Sequence, residues 1–488
     1  MLNDALLESL GLPQLVPESL APWRPLVFDG VRFFLQRLPA YHRKAVLASQ
    51  LTLPANALPA TRLVTLLAQC PTLHKLGQIL AHNRQLPAEL RLELQTLESM
   101  LPFTPMRQVL DRIRRELPGE LPLTLGRQAL AEGSVAVVLP FIYRENGQAR
   151  DGVFKVLKPG IEEKFSGELA VWLELGSFLE QRSRYFGLPA LDYRGTLDSV
   201  RELLAREIHL RVEQENLRAA AVFYADEPRI LIPRLLPWCT SQLTAMERVF
   251  GEKVTDAALS PTRRAELAST MMAALVGQPF WSTAETAMLH ADLHAGNLFA
   301  TTDGRLAVLD WSLTLRLSKA DRESLVSVML GGLTLDAERM CEVIAALGSM
   351  RTDDPVLRRA VERALDRVAL QGCFPGFEWL LDLLDGLALQ AAIELRHDLV
   401  LFRKTWFSLS GVIDELATGQ SPDMQLLGLG LQRFLSELPT RLSALADPAR
   451  FSIHVSNADL LRFGASTWLV GMRYWQRVWQ QGIAGIAP

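Results

Sequence analysis

The chain has 488 residues, of which 49% are hydrophobic, and its 51 basic and 54 acidic residues give a formal net charge of −3. This length exceeds one small core, so we expect two to four structural units, and the apolar content excludes wholesale disorder. The balanced charge and the lack of any RNA- or DNA-binding motif predict no nucleic-acid partner.

The first 118 residues are predicted to be helical. Residues 1–60 carry apolar runs broken by prolines, which predicts short helices joined by loops. Residues 61–118 contain three longer helical patterns, and Pro87 is well placed to start the last of them. No apolar run is long enough to span a membrane, and the early acids of the N-terminus do not fit a signal peptide.

The composition changes to β-like runs in residues 119–160 and then returns to helix. SVAVVLPFIYR and GVFKVLK predict a β-hairpin, with turn signals at Asn146–Gly147 and Asp151–Gly152. Long helices are predicted for 161–222, and further strands near Arg229–Leu231 and Ser241–Met246. From 253 to 440 the chain is predicted to be mostly helical. Four widely spaced cysteines without CxxC or CxxH spacing predict buried free thiols in a reducing cytoplasm and no zinc site.

Residues 288–312, MLHADLHAGNLFATTDGRLAVLDWS, have a spacing that phosphoryl transfer can use. Asp292 lies five residues before Asn297, so both side chains can share one short loop and face one cleft. A turn and a predicted strand at Leu306–Leu309 follow, and Asp310 comes at the strand end, where it can bind a metal. The structural alternative is a polar turn before a strand, in which the two acids only cap backbone groups and face solvent.

Lysine is scarce, with eight residues in the chain, so its position within motif-like strings is informative. Lys155 falls in the second strand of the predicted hairpin, where it can reach the α- and β-phosphates of a nucleotide. Glu213, in the strongly helical segment REIHLRVEQENLRAA, is the predicted ion-pair partner. The alternatives are a lysine that extends from an edge strand to solvent and a glutamate on a solvated helix face.

These motifs, in this order, resemble the UbiB/AarF family of atypical protein-kinase-like proteins over roughly residues 60 to 420. HKLGQILAHNRQLPAEL resembles the KxGQ segment of that family, and AEGSVAVV its alanine-rich phosphate loop. EIHLRVEQEN stands in the place of the ExD helix, and LTAMERVFG resembles the hinge. HADLHAGN and LDWS match the catalytic and metal loops.

The resemblance implies an α+β, bilobal protein-kinase-like fold that is predominantly helical and uses ATP and Mg²⁺. It implies Asp292 as the catalytic base or hydroxyl-orienting residue, and Asn297 and Asp310 as magnesium ligands. Lys155 would bind phosphate and pair with Glu213. The remaining residues implied for the nucleotide site are Ala131, Gly133, Ser134, Met246, Glu247, Lys75, Gln78 and Glu207. The chain departs from the family pattern at His209, Glu132 and Trp311.

The implied organisation has five parts, with the kinase-like lobes in the middle. These are an N-terminal helical segment (1–60), the KxGQ extension (61–118), the N-lobe (119–250), the C-lobe (251–425) and a C-terminal helical region (426–488). The implied function is an atypical kinase or ATPase that supports isoprenoid-quinone or lipid-linked biosynthesis. Its implied partners are a nucleotide, an isoprenoid or lipid ligand, and proteins of a biosynthetic complex.

Two other functions remain open. An aminoglycoside- or choline-phosphotransferase-like kinase fits ADLHAGN and LDW locally, but such kinases lack a helix like the one containing Lys75 and Gln78. A nucleotide-binding pseudokinase scaffold is suggested by His209 and Glu132, because an acid that pointed at phosphates would repel them.

The C-terminal tail has an aromatic stripe with arginines on the opposite side. The stripe follows steps of four and three residues and consists of Leu461, Ala465, Trp468, Met472, Trp475 and Trp479. Arg462, Arg473 and Arg477 fall on the other face. The pattern predicts either peripheral attachment to the cytoplasmic face of a membrane or a terminal helix that packs its stripe on the large lobe.

Overall fold

The computed structural model describes residues 12–54, 56–81, 86–98, 104–189, 192–206, 208–348, 351–389, 396–443 and 451–484. They belong to two compact units, Met1–Lys253 with Gly296–Leu313 and Val254–Ala295 with Thr314–Pro488. Helices dominate, and three β-sheets accompany them, so the predicted α+β class is confirmed.

The first unit begins with helices, as predicted. They are α1 (Leu12–Leu15), α2 (Arg24–Arg37), α3 (Ala40–Leu51), α4 (Pro59–Gln69), α5 (Pro71–Ala81), α6 (Ala88–Gln95) and α7 (Met106–Glu116). Prolines mark several starts, because proline fits the first helical turn, and Pro87 immediately precedes α6. Gly77 of α5 is packed so tightly that a Cβ there would lie 2.6 Å from a Leu97 methyl carbon.

The main sheet of this unit is built on the predicted hairpin. Its strands are β1 (Leu123–Leu125), β2 (Ala131–Glu132), β3 (Ala136–Glu145), β4 (Gln148–Leu157) and β6 (Leu243–Glu247), in the order β1-β3-β4-β6 with β2 also paired to β3. The hairpin turn is Asn146–Gly147, with φ of 51° and 80°, as primed turns require. The second predicted turn, Asp151–Gly152, is wrong: both residues lie in β4. Gly152 fits there because the Phe141 ring occupies the space of a Cβ.

Three helices follow the hairpin: α8 (Ile161–Tyr185), α9 (Tyr193–Arg206) and α10 (Leu210–Phe223). The prediction of continuous helix through REIHLRVEQEN is wrong at His209, which has φ −99° and ψ 72°. Glu213 and Asn216 therefore lie on a helix that begins at Leu210. The predicted strand near Arg229 is β5 (Ile230–Leu231), which joins β7 (Gly251–Lys253), β9 (Leu298–Thr301) and β10 (Leu306–Val308) in the order β5-β10-β9-β7.

The second unit is mostly helical. Helix α11 (Pro261–Thr270) continues through a π-helix (Met271–Gly277) into α12 (Gln278–Phe280), and β8 (Thr286–His290) pairs with β11 (Thr314–Ser318). The later helices are α13 (Lys319–Leu333), α14 (Ala337–Leu347), α15 (Pro355–Gln371), α16 (Phe377–Leu389), α17 (His397–Leu416), α18 (Pro422–Ser443) and α19 (Asn457–Ala484). Aromatic rings join them, and the Phe280 and Phe377 centroids are 5.0 Å apart.

The terminal helix α19 packs through Arg473 and Arg477 and exposes its aromatic stripe, and the third predicted arginine of that face, Arg462, is exposed. Arg473 donates to the Thr334 carbonyl and to Asp336, and Arg477 pairs with Glu362 and Asp366. The stripe residues outside are Leu461, Trp468, Met472, Trp475 and Trp479, which are 56–76% exposed. The alternative in which the stripe packs on the large lobe is therefore wrong. Across the described ranges, no helix has the length and hydropathy needed to span a membrane.

Candidate active site

Lys155 lies at the centre of the main sheet and contacts two acids. On β4 it is opposite Val138 of β3 and Thr244 of β6. Its Nζ lies 2.8 Å from Glu213 Oε1 and 3.2 Å from Asp310 Oδ1. The Lys155 side chain is 13% exposed and that of Glu213 is 3% exposed, so neither the edge-strand nor the solvated-face alternative describes them.

Helix α10 connects this lysine to the loop after β10. Glu213 lies in its first turn, where the helix dipole favours an anion. One turn later, the Asn216 amide donates to the Trp311 carbonyl at 3.0 Å. Asn216 received no role in the sequence analysis. Gln214 also fastens α10 to β6 by donating to the Leu243 carbonyl.

The strands β9 and β10 bring the predicted metal ligands to one end of a hairpin. Leu298 pairs with Val308, and the Leu309 amide donates to the Asn297 carbonyl at 2.9 Å. Asn297 and Asp310 therefore both leave the sheet at the same hairpin end. Amide and carboxylate oxygens are donors that hard divalent cations prefer, so this pair fits Mg²⁺.

Asp310 adopts an unusual backbone conformation, with φ of 54°. Among non-glycine residues, aspartate and asparagine tolerate this left-handed region best. The Ser312 amide donates to Asp310 Oδ1 at 3.3 Å and helps to hold the turn. The following Trp311, one of the departures from the family pattern, is accommodated in the core, where it is 1% exposed and its Nε1 donates to the Val308 carbonyl.

The predicted phosphate loop is the β2–β3 turn. Ala131 lies in β2, the Gly133 amide donates to the Ala136 carbonyl, and Ser134 is buried. Glu132 Oε1 pairs with Lys158 at 2.8 Å, and the Glu132 carboxylate also accepts hydrogen bonds from Thr104. Burial alone would raise the Glu132 pKa, but the bonds from Lys158 and Thr104 outweigh burial and lower the pKa. The negative charge that suggested phosphate repulsion is thus compensated by the ammonium of Lys158.

The predicted hinge residues end β6. Met246 pairs with Val153 of β4, and the Glu247 amide donates to the Arg234 carbonyl at 2.9 Å. The Glu247 carboxylate also pairs with Arg234 at 2.8 Å. Their main-chain contacts to a base remain a prediction, and the Glu247 amide is already used within the unit.

The residues predicted from the KxGQ and ExD segments have different placements. Lys75 is buried in α5. The Gln78 amide donates to the Leu97 carbonyl at 3.0 Å, and a contact of Gln78 with a nucleotide remains a prediction. Glu207 lies outside the described residues. His209 is exposed ahead of α10 and makes no side-chain cap to that helix.

The second unit holds Asp292 on the loop after β8. Its side chain is 8% exposed, and Oδ1 lies 2.7 Å from the Nζ of Lys404 on α17. Oδ2 lies 3.7 Å from His294 Nε2. The Asp292 amide donates to His290 Nδ1 at 3.1 Å. Sequence reasoning missed Lys404, since 112 residues separate it from Asp292; its only signal was the scarcity of lysine.

Comparison with known proteins supports the resemblance. The ABC1 atypical kinase-like domain matches residues 93–344. A probable protein kinase UbiB from Shewanella loihica is 26% identical over 76% of this chain and 65% of its own length. Two chloroplastic proteins of Arabidopsis thaliana also match. The uncharacterized aarF domain-containing protein kinase At5g05200 is 26% identical over 57% of this chain and 52% of its own length. Activity of BC1 Complex Kinase 3 is 25% identical over 76% of this chain and 52% of its own length. The chain spans about half to two thirds of these relatives, and the predicted UbiB/AarF resemblance is confirmed.

Proposed function

Because the chain belongs to the ABC1 atypical kinase-like family, we propose that it binds Mg-ATP and transfers or hydrolyses the terminal phosphoryl group. The observation that carries this proposal is the contact of Lys155 Nζ with both Glu213 and Asp310. A lysine held by a helical glutamate, beside a carboxylate that can bind a metal, is the arrangement that phosphoryl transfer uses.

Each residue of this arrangement has a chemical role. Lys155 places its ammonium against the α- and β-phosphates, and Glu213 fixes the ammonium in position. Asn297 and Asp310 would hold Mg²⁺ through oxygen donors, and the ion would neutralise charge on the phosphates. Asp292 would orient the acceptor hydroxyl or water and accept its proton. Ala131, Gly133 and Ser134 would approach the phosphates through the β2–β3 turn.

Lys404 is expected to position Asp292, because its ammonium holds one of the two carboxylate oxygens. Replacing it, as in Lys404→Met, leaves a largely buried carboxylate without this ion pair, and such losses are costly. We expect ATP turnover to fall at least about tenfold with little change in nucleotide affinity. Steady-state phosphate release over a range of ATP concentrations separates the two quantities.

The neighbouring residue gives a matched control for Lys404. Arg403 also lies on α17 and pairs with Asp385 at 2.6 Å instead of with Asp292. Arg403→Gln should keep wild-type turnover. Equal turnover in wild type and Lys404→Met would remove Lys404 from the mechanism.

The basic reaction is tested by phosphate release from ATP, with and without Mg²⁺. We expect release that requires Mg²⁺ and stops when a chelator removes it. A phosphotransferase of small molecules would instead show large, saturable stimulation by an aminoglycoside or an amino alcohol. Absence of any nucleotide-dependent signal would favour the scaffold, although the pairing of Glu132 with Lys158 removes one reason for that alternative.

We place this reaction in isoprenoid-quinone or lipid-linked biosynthesis at the cytoplasmic face of a membrane. The UbiB/AarF resemblance supports the pathway, with an isoprenoid or lipid ligand and proteins of a biosynthetic complex as partners. The exposed stripe of α19 supports peripheral attachment, because aromatic rings favour the membrane interface. Arg473 and Arg477 already form contacts inside the unit, so the exposed stripe is the apolar face available to lipid.

Liposome flotation tests the attachment. Replacing Trp468, Trp475 and Trp479 by alanine removes most of the aromatic area while the arginine contacts of α19 stay intact. We expect the wild-type chain to float with vesicles of phosphatidylcholine and phosphatidylglycerol, and the triple variant to float at least about tenfold less.

The control for flotation is an exposed aromatic residue of the other unit. Tyr185 is 74% exposed, and Tyr185→Ala should float like wild type. Equal flotation of wild type and the triple tryptophan variant would exclude α19 as the attachment element.

A further inference from the structure

The carboxylate of Glu132 joins three separate segments of the first unit. Glu132 ends β2, directly before the predicted phosphate loop, and its side chain is fully buried. Its Oε1 lies 2.8 Å from the Nζ of Lys158, the residue that follows β4. Thr104, which lies just before α7, donates its amide to Oε2 at 2.9 Å and its hydroxyl to Oε1 at 2.7 Å. We call Glu132, Lys158 and Thr104 the loop latch.

The main chain of Lys158 also contacts the phosphate loop. The Lys158 amide donates to the Val135 carbonyl at 2.8 Å, and the Gly133 amide closes the turn by donating to the Ala136 carbonyl at 2.8 Å. Lys158 follows directly after the strand β4, which also contains Lys155. Through its side chain and its main chain, Lys158 therefore attaches the loop to the strand of Lys155.

Thr104 attaches the loop to a second rigid element. The helix α7 that follows it buries Val109 and Ile113 completely, in the same apolar core as Val137 of β3. The loop is thus held from α7 on one side and from β4 on the other. Hydrogen bonds and ion pairs to a buried carboxylate are among the stronger contacts in proteins, so they restrict the positions of the loop.

We propose that Glu132 is a positioning residue, and that the loop latch holds the phosphate loop in the place where it meets the phosphates of a nucleotide. This inference rests on the proposed function. A loop that is ordered before binding loses less conformational freedom when the ligand binds, so the affinity is higher. Glu132 would then favour phosphate binding, although its charge taken alone would oppose it.

Thr104 allows a test that leaves both charges of the loop latch in place. Thr104→Val keeps the shape of the side chain and removes its hydroxyl bond to Glu132. We expect calorimetric titration to show at least about threefold weaker ATP binding, because a smaller fraction of the protein then has the loop in position. Thr104→Ser keeps the hydroxyl and should bind ATP as wild type does.

A double variant removes the ion pair without leaving a buried charge behind. We expect Glu132→Gln with Lys158→Met to bind ATP at least about tenfold more weakly. Without nucleotide, the amides of the β2–β3 turn should exchange hydrogen faster than in wild type, while the rest of β3 exchanges at the wild-type rate. The matched control is Glu162→Gln, which removes a carboxylate that pairs with Arg112 of α7 at 2.6 Å. It should change neither ATP affinity nor exchange of the turn.

The competing arrangement is a Glu132 that opposes the phosphates and does not position the loop. It predicts that Thr104→Val and the double variant bind ATP as tightly as wild type or more tightly, and that result would overturn the proposal. Faster exchange throughout the unit would contradict it too, because the effect would then be a general loss of stability. If wild type binds no ATP, the proposed function fails and exchange alone decides. Faster exchange confined to the turn would then support the loop latch, and unchanged exchange would refute it.

Discussion

Asp310→Asn should reduce Mg-dependent phosphate release from ATP by at least about a hundredfold. The change removes the charge that contacts Lys155 Nζ at 3.2 Å and weakens the predicted Mg²⁺ site. Asparagine tolerates the left-handed φ of 54° as well as aspartate does, so the turn should survive. Steady-state turnover at saturating ATP measures the effect, and thermal unfolding verifies the fold.

Asp303→Asn is the matched control for this substitution. Asp303 lies in the exposed turn between β9 and β10 and pairs with Arg305 at 2.6 Å. It is part of the same hairpin, and its hydrogen bonds within the described residues go to Thr301 and Arg305, so its variant should keep wild-type turnover. Comparable losses in Asp303→Asn and Asp310→Asn would show that the hairpin, and not the Asp310 carboxylate, matters.

Removal of the Lys155–Glu213 pair should also abolish most turnover. Lys155→Met alone would leave the Glu213 carboxylate, 3% exposed, without its ammonium partner, which could unfold the chain. Combining it with Glu213→Gln removes both charges. We expect the double variant to fold, to bind ATP at least about tenfold more weakly and to lose about a hundredfold in turnover. Calorimetric titration and phosphate release measure the two effects.

A second ion pair of the same unit provides the comparison. Arg112 of α7 lies 2.6 Å from Glu162 of α8, and the two side chains are 12% and 35% exposed. The double variant Arg112→Met and Glu162→Gln loses an ion pair without touching the sheet centre. Its turnover should stay within about threefold of wild type. A Lys155–Glu213 variant that is no more impaired than this one would contradict the assigned roles.

Local signals in the sequence predicted the parts of the site that depend on neighbouring residues. Asn146–Gly147 predicts a turn because few residues accept positive φ, and that turn determines which residues of β3 and β4 are paired, Lys155 included. The apolar run before Asp310 predicts a strand, and the structure has that strand, so Asp310 follows directly after the end of the sheet. Glu213 was recognised because helical spacing and motif order agreed.

Features that depend on distant residues could not be predicted. Gly152 resembles a turn residue in the sequence, but it lies within β4. A glycine is needed there because the Phe141 ring on the paired strand fills the space that a Cβ would take. Lys404 and Asp292 are joined by folding across 112 residues, and no spacing rule connects α17 to the loop after β8. Nothing in the sequence around Glu132 indicates that Lys158 will form an ion pair with it or that Thr104 will donate hydrogen bonds to it.

The most direct test of the central claim is a crystal structure of the chain with Mg²⁺ and a non-hydrolysable ATP analogue. We predict that Lys155 Nζ contacts the α- and β-phosphates, while the oxygens of Asn297 and Asp310 coordinate the metal. A triphosphate bound elsewhere, with the Lys155–Glu213–Asp310 contacts unchanged and no metal at Asp310, would contradict it.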